Sequence, residues 1–301
     1  MGEILQQLVN GISLGAIYAL IALGYTMIYG VLRFINFAHG DIFMIGAFSG
    51  YFVANAVSHI LPTGSIGAVI VVFVASMTIC ALLGALIEYL AYRPLRKRPK
   101  LTVLITAIGV SLFLEYLSQL LFGATPRGFP EIIPNHALIK SKAVTIDVVG
   151  AVVIITSFTL MLALRVIVMK TKIGTAMRAV SFNQQAASLM GINISKVITF
   201  TFMTGSALAA AGGVLYAAQY PSIDPLMGIL PGLKAFVAAV LGGIGNITGA
   251  ALGGMIIGIV ESFIGGTFLS TYRDAIVFAI LIGILIFKPS GILGKNEVEK
   301  V

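Results

Sequence analysis

Long apolar runs with few or no charges alternate with short polar segments along most of the chain. About 20 apolar residues in helical form cross the hydrocarbon core of a bilayer, and a charge at its centre costs about 2.5 to 3.5 kcal/mol. The pattern therefore predicts an all-α polytopic membrane protein with about eight transmembrane helices. The runs cover residues 4–32, 42–61, 65–87, 101–123, 148–168, 197–219, 235–260 and 266–287.

The positive charges cluster in two of the polar segments. Residues 93–100 hold five Lys or Arg and no acid, and residues 165–196 hold five more, with no acid between Asp147 and Asp224. The segment 124–147 between them carries both signs. Because cytoplasmic loops of membrane proteins are enriched in Lys and Arg, both basic segments are predicted to be cytoplasmic and the N-terminus external.

The last part of the chain fits this orientation only if the Gly-rich run 235–260 is interrupted. A single helix there, followed by one at 266–287, would place Lys288 and Lys295 outside, against the positive-inside rule. A break at 242–246 removes the conflict. The sequence therefore predicts eight to ten crossings, with one or two broken or partial helices, in a single transmembrane domain that covers residues 1–301.

Two interruptions of the apolar pattern, at residues 33–41 and 242–246, are candidates for lining a transport pathway. Irregular backbone is tolerated at membrane depth only where protein or water satisfies its polar groups. An ordinary interfacial turn is the alternative at each break. The candidate pathway residues are Asn36, His39, Asn246 and Thr248.

Composition excludes several classes of function. The chain is 58% hydrophobic and 10% charged, against about 25% charged in a soluble domain, which excludes a soluble enzyme and a disordered chain. The net charge of +8 follows the predicted topology, so no nucleic-acid partner is expected. P-loop, zinc-site and nucleophile-elbow motifs are missing, so we expect no catalytic residue, metal ion or cofactor and no ATP site on this chain.

Two ionisable residues, Glu115 and Lys234, lie within or beside apolar runs and need partners there. A structural ion pair, to each other or to another subunit, is favoured over a proton or substrate relay. A proton-coupled carrier usually needs several buried carboxylates, and Glu115 is alone in its span.

The cytoplasmic segment 170–196 contains signals for a short helix. Ser181 and Gln184 fit a capping box, and Gly191 supplies a stop, which together predict a helix at 182–190. A helix this short is marginal in isolation and needs a surface on which to dock. The alternative is a helix that lies flat on its own bundle or on the membrane. Its small apolar face would consist of Ala186, Ala187, Leu189 and Met190.

Several segments resemble a known family. Residues 185–191, Gln-Ala-Ala-Ser-Leu-Met-Gly, resemble the Glu-Ala-Ala-x-x-x-Gly coupling motif of ABC importer permeases, although Gln185 replaces Glu and the Ile-x-Leu-Pro tail is missing. Other segments are similar to blocks of the LivH-type branched-chain amino acid permeases, and together they cover nearly the full length. These segments are Asn10-Gly11, 15–20, 24–31, 35–40, 234–236, 241–245 and 288–294.

The resemblance implies one permease subunit of an ABC importer in the cytoplasmic (inner) membrane of a bacterium or archaeon, surrounded by lipid. The implied partners are a second, homologous LivM-type permease, two cytoplasmic ABC ATPases and an external substrate-binding protein. The implied substrate is Leu, Ile or Val, with urea, short amides or other neutral amino acids as alternatives. The short helix would sit in a cleft of one ATPase. The implied coupling residues are Arg178, Gln185, Ala186, Ala187, Met190 and Gly191.

Two readings from other classes compete with the importer. A self-sufficient secondary carrier or channel would hold the whole path in one chain or a homo-oligomer and would work without ATPases. A receptor or purely structural membrane protein would show no flux.

Overall fold

A computed structural model of the chain describes residues 2–62, 64–96, 98–141 and 144–294. Within these residues there are eleven α-helices, with a π-helical turn at Glu88–Tyr92 and a 3-10 turn at Arg93–Leu95 that extend the third helix. The α-helices are α1 (Gly2–Leu32), α2 (His39–Ser58), α3 (Ile66–Ile87), α4 (Lys100–Phe122), α5 (Val148–Lys170), α6 (Lys172–Phe182), α7 (Gln184–Leu189), α8 (Ile194–Gln219), α9 (Ile229–Gly242), α10 (Ile247–Gly265) and α11 (Arg273–Phe287).

Eight of the described helices are long and apolar enough to cross a membrane, and α9 is a shorter apolar helix of 14 residues. The predicted all-α polytopic class and the predicted number of spans are confirmed. The four short strands are β1 (Arg127–Gly128), β2 (Ala137–Lys140), β3 (Thr145–Asp147) and β4 (Ser222–Ile223). They pair antiparallel as β1 with β4 and β2 with β3, on the predicted external side.

Helix α1 is the centre of the bundle. Its 31 residues extend about 46 Å at about 1.5 Å per residue, and nearly all of its central part is buried by α8, α9 and α10. It packs antiparallel to α10 through facing glycines, since a Cβ on Gly258 would overlap the backbone of Gly15, and a Cβ on Gly11 would lie 2.7 Å from the Cα of Ile259. Small residues at this spacing let two helix backbones approach closely.

The Gly-rich run is interrupted where the charge pattern predicts. Helix α9 ends at Gly242, and α10 starts at Ile247 and runs back against α9. Gly243 and Gly245 make the reversal with φ of +101° and +94°, a region that glycine enters without steric cost. The chain after α11 closes this turn, because the backbone N–H of Ile292 donates to the carbonyl of Leu241 over 2.8 Å.

The break also fixes the side on which the chain ends. Gly245 lies beside Gly30, near the end of α1 that carries Arg33, and the segment after Lys288 contacts the same turn. With α9 counted as a partial crossing, the described residues contain nine crossing segments, so Lys288 is on the same side as Arg33. This agrees with the positive-inside rule. Lys295 lies outside the described residues.

Candidate coupling and translocation sites

The cytoplasmic segment folds differently from the predicted single helix at 182–190. The observed helix α7 spans only Gln184–Leu189, and the longer α6 precedes it. Asn183 is the N-cap, because its Oδ1 accepts from the N–H of Ala186 over 2.9 Å. The prediction that Ser181 caps the helix is wrong, since its hydroxyl donates to the carbonyl of Gly30 at the end of α1.

Helix α7 ends in a Schellman motif. The N–H of Gly191 donates to Ser188 over 3.0 Å, and the N–H of Ile192 donates to Ala187 over 3.1 Å. Gly191 has φ +82°, so the predicted stop signal is confirmed. Ala187 is buried against the bundle, whereas Leu189 is 89% exposed and Met190 is 83% exposed.

Phe182 adds to this surface. It is the last residue of α6 and is 92% exposed. Phe182, Leu189 and Met190, which we call the cytoplasmic tip, are three large apolar side chains that the described residues leave exposed. Exposed apolar side chains close together in the chain are a candidate surface for a partner protein or for the membrane. Sequence analysis missed Phe182, because the predicted helix placed it at the start of α7 and not at the end of a preceding helix.

The tip is joined to the spans by defined contacts. Arg178 donates to the carbonyl of Val168 near the end of α5, where a cation also stabilises the helix terminus. The side chain of Gln184 donates to the carbonyl of Val31 over 3.2 Å. Of the other predicted coupling residues, Gln185 and Ala186 are exposed on α7.

At the first break, after α1, the chain turns back into the helix bundle. Arg33 ends α1 with φ +58°, and α2 then starts at His39, whose imidazole fills the space where Gly24 lacks a Cβ. Gly24 lies eight residues before the end of α1, so α2 starts about 12 Å inside that end. Asn36 and His39 are buried at the break. The chain at 33–38 is irregular backbone that the described protein covers only in part, because Arg33 is exposed and residues 34, 35 and 37 are half-buried.

Among the described residues, only one of the two polar atoms in the Asn36 side chain has a hydrogen-bond partner. Its Oδ1 accepts from the hydroxyl of Tyr92 over 2.6 Å. Within the described part of the chain its Nδ2 is buried without a hydrogen-bond partner, as is Oγ1 of Thr26 on the neighbouring α1. Buried polar groups in this condition are costly unless water or a ligand meets them.

At the second break, both polar atoms of the Asn246 side chain form hydrogen bonds. Oδ1 of Asn246 caps α10 by accepting from the N–H of Gly249 over 3.1 Å, and Nδ2 donates to the carbonyl of Leu293 over 2.8 Å. Thr248 is exposed on the first turn of α10. Asn246 therefore has a structural task, which the sequence pattern alone does not distinguish from pathway lining.

A groove of about 240 Å³ lies at the cytoplasmic end of the bundle. It brings Thr26 and Gly30 of α1 together with Gly245 of the second break and with Arg178 and Ser181 of α6. The candidate pathway residues are not among those that line this groove: Asn36, His39, Asn246 and Thr248 all lie outside the lining. They fall into two groups, one at each break.

The buried charges form pairs that differ from the predicted one. Lys234 does not pair with Glu115: its Nζ lies 2.6 Å from Oε1 of Glu261 and 2.6 Å from Oδ1 of Asp274. Tyr18 donates to the other oxygen of Glu261 over 2.9 Å. This cluster joins α1, α9, α10 and α11 on the external half of the bundle.

The fold and these sites define a class, a polytopic membrane protein with interrupted helices and an apolar tip on its predicted cytoplasmic side. Residues 7–285 match the family described as the permease component of the branched-chain amino acid transport system. The chain belongs to this family and is therefore a multi-pass transport subunit of the cell inner membrane.

Curated relatives support the same assignment over the whole chain. The high-affinity branched-chain amino acid transport system permease protein LivH of Escherichia coli K12 is 43% identical, covering 99% of this chain and 97% of its own length. Its counterpart BraD of Pseudomonas aeruginosa is 41% identical, covering 99% and 98%. A probable LivH of Methanocaldococcus jannaschii is 33% identical, covering 91% and 88%. No solved structure matches the chain.

Proposed function

We propose that this chain is one permease subunit of an ATP-driven importer that moves branched-chain amino acids, Leu, Ile and Val, into a bacterial or archaeal cell. Its partners in this proposal are a second, homologous LivM-type permease, two cytoplasmic ABC ATPases and an external substrate-binding protein. The names of the relatives support the substrate class. The observation that carries the proposal is the exposed apolar tip, because it supplies a surface for a partner on the side where a cytoplasmic ATPase would bind.

In this proposal the coupling segment 170–196 transmits motion mechanically. The ATPase would bind α7 through the exposed Leu189 and Met190, together with Gln185 and Ala186. Buried Ala187 and the turn at Gly191 hold α7 to the bundle, and Arg178 joins α6 to the end of α5. Closure of the two ATPases would then shift α1 and α5 between inward-open and outward-open arrangements.

Changing Phe182 to Glu should release the ATPases. Burying a phenylalanine contributes about 1.5 to 3 kcal/mol, and an unpaired carboxylate in its place adds a desolvation cost. We expect the fraction of tagged chain that co-purifies with ATPases to fall at least roughly tenfold. The measurement is quantitative mass spectrometry of the complex purified in mild detergent.

Phe268→Glu is the matched control. Phe268 is also 92% exposed, but it follows α10 on the external side, beyond the reach of a cytoplasmic ATPase. It should retain the ATPases at the level of the unchanged chain. Equal retention by Phe182→Glu and Phe268→Glu would rule out the tip as the docking surface.

The proposed translocation path uses the two breaks and passes the substrate without a tight pocket. A transported zwitterion must enter and leave, so shallow contacts with scattered polar groups suit it. At the first break Asn36 and the buried His39 are candidates, and at the second break Asn246 and Thr248 are candidates. Support comes from Nδ2 of Asn36, which has no hydrogen-bond partner among the residues that the structure describes.

Asn36→Ala should lower uptake while the complex still assembles, because it removes an amide from the path. Tyr92→Phe is the matched control, since it breaks the same Tyr92–Asn36 hydrogen bond and leaves the amide in place. We expect uptake of labelled leucine to fall several-fold more in Asn36→Ala than in Tyr92→Phe. Equal loss in the two variants would show that only the hydrogen bond matters.

Asn246→Ser extends this test to the second break. Serine keeps the helix cap that Asn246 provides, but it removes the amide that bonds to Leu293. Unchanged uptake in both Asn36→Ala and Asn246→Ser would refute the assignment of the two breaks to the path.

A further inference from the structure

A small basic cavity of about 90 Å³ lies at the cytoplasmic end of α4, apart from the groove and from the cytoplasmic tip. Arg96, Arg98 and Lys100 line it, together with Tyr92 and with Gln184 of α7. Three cations around one cavity repel each other, and they remain together at lower cost when an anion lies between them. The lining therefore favours a bound anion.

The hydrogen-bonding capacity of Arg96 is only partly used. Its terminal nitrogens donate to the buried Glu88 and, over 3.0 Å, to Ser195. Its Nε is buried and lacks a hydrogen-bond partner among the residues that the structure describes. Glu88 neutralises one guanidinium, and Arg98 and Lys100 are exposed cations without a carboxylate partner within the described ranges.

The start of α4 adds to the positive potential. Pro99 occupies the N-cap position and gives no side-chain hydrogen bond to the first turn, whose N–H groups and helix dipole favour an anion. Lys100 and Val103 of this turn line the cavity. The side-chain cations and the positive end of the α4 helix dipole thus lie at the same cavity.

The surroundings indicate what carries the anion. Leu101 follows the lining residue Lys100 and is 65% exposed, and Ile105, one turn further along α4 toward the bilayer centre, is 61% exposed. A charged group in the cavity and an apolar surface next to it match a molecule with an anionic head and hydrocarbon chains. The cytoplasmic leaflet, where the positive-inside rule places this end, presents such molecules.

We propose that this cavity binds the phosphate of an anionic phospholipid from the cytoplasmic leaflet. Arg96, Arg98 and Lys100 donate to the phosphate oxygens, and the acyl chains lie along Leu101 and Ile105. Arginine suits this task because its planar group can donate two parallel hydrogen bonds to one phosphate. Free inorganic phosphate carries the same anionic group as the lipid. The adjoining apolar surface favours the lipid as the source of the bound phosphate.

The bound headgroup would also contact the coupling segment. Gln184 of α7 lines the cavity and donates to Val31 at the end of α1. A phosphate there bridges the basic loop after α3 to the helix that carries Leu189. This inference does not depend on the transported substrate or on the ATPases.

The test uses the full-length chain, purified in neutral detergent with its co-purifying partners and stripped of native lipid. The thermal unfolding midpoint is measured against increasing short-chain phosphatidylglycerol, short-chain phosphatidylcholine and inorganic phosphate. A ligand that binds only the folded state raises this midpoint with concentration. We expect phosphatidylglycerol to raise it and phosphatidylcholine to leave it unchanged.

The variants are the double change Arg98→Gln with Lys100→Gln and the matched control Lys170→Gln with Lys172→Gln, which removes two exposed cytoplasmic lysines elsewhere. The first should bind phosphatidylglycerol roughly tenfold more weakly or worse, and the control should bind like the unchanged chain. Equal weakening in both variants, or none in either, would overturn the proposal. Inorganic phosphate that binds as tightly as the lipid would overturn the lipid as the source.

Discussion

Replacing Lys234 with Met is expected to destabilise the folded chain by about 3 to 5 kcal/mol, the cost of leaving a buried charge without its partner. Lys234 and Glu261 are each about 5% exposed or less, and their ion pair is 2.6 Å long. Met fills a similar volume, so the loss would come mainly from the buried carboxylate of Glu261, which keeps Tyr18 and the half-exposed Arg273 as neighbours but loses its nearest cation. The measurement is the unfolding midpoint of the purified complex in detergent.

Two variants separate this explanation from a simple packing defect. The double change Lys234→Met with Glu261→Gln removes both charges and should recover part of the lost stability. Arg273→Met removes a cation that is 49% exposed and lies 3.3 Å from Glu261, and it should cost about 1 kcal/mol or less. A Lys234→Met variant no less stable than Arg273→Met would show that the buried pair is not a main support of the bundle.

The predicted spans agree with the structure because bilayer length and charge exclusion act on each helix separately. The run 101–123, for example, is observed as Lys100–Phe122. The break at 242–246 is predicted from Lys288 and Lys295, since the positive-inside rule constrains the parity of crossings without reference to any contact. Gly243 and Gly245 then meet the local requirement for positive φ at that break.

Tertiary partners could not be predicted from local pattern. The sequence predicts that Lys234 needs a partner, but it does not indicate Glu261, which is 27 residues away along the chain. Ser181 has a good capping signature, yet its hydroxyl bonds to Gly30, 151 residues away, and Asn183 caps the helix instead. In both cases several local choices were chemically acceptable, and packing between distant helices selected one.

The sequence likewise predicts some features of the candidate sites and not others. Gly191 carries its signal in its own residue type, and its left-handed conformation is confirmed. The exposure of Phe182 depends on where α6 ends, and the hydrogen bond between Tyr92 and Asn36 joins residues that are 56 positions apart. Such features follow from the fold and become visible only with it.

Removing the ATPases is expected to abolish transport completely. In the proposed importer this chain has no energy source of its own, and the path opens to each side only when the ATPases move α7. A carrier or channel would instead hold a complete path and continue to pass substrate down a gradient. The two classes therefore predict opposite results in the absence of ATP.

Uptake by the purified complex in liposomes tests the central claim most directly. Labelled leucine is supplied with the external binding protein, and ATP is either enclosed on the cytoplasmic side or omitted, with unlabelled isoleucine, valine, urea and short amides as competitors. We expect uptake only when ATP is present, and we expect the purified complex to contain a second permease and two ATPases. Isoleucine and valine should compete with leucine, whereas urea should not. Flux of leucine through the chain alone without ATP would contradict it.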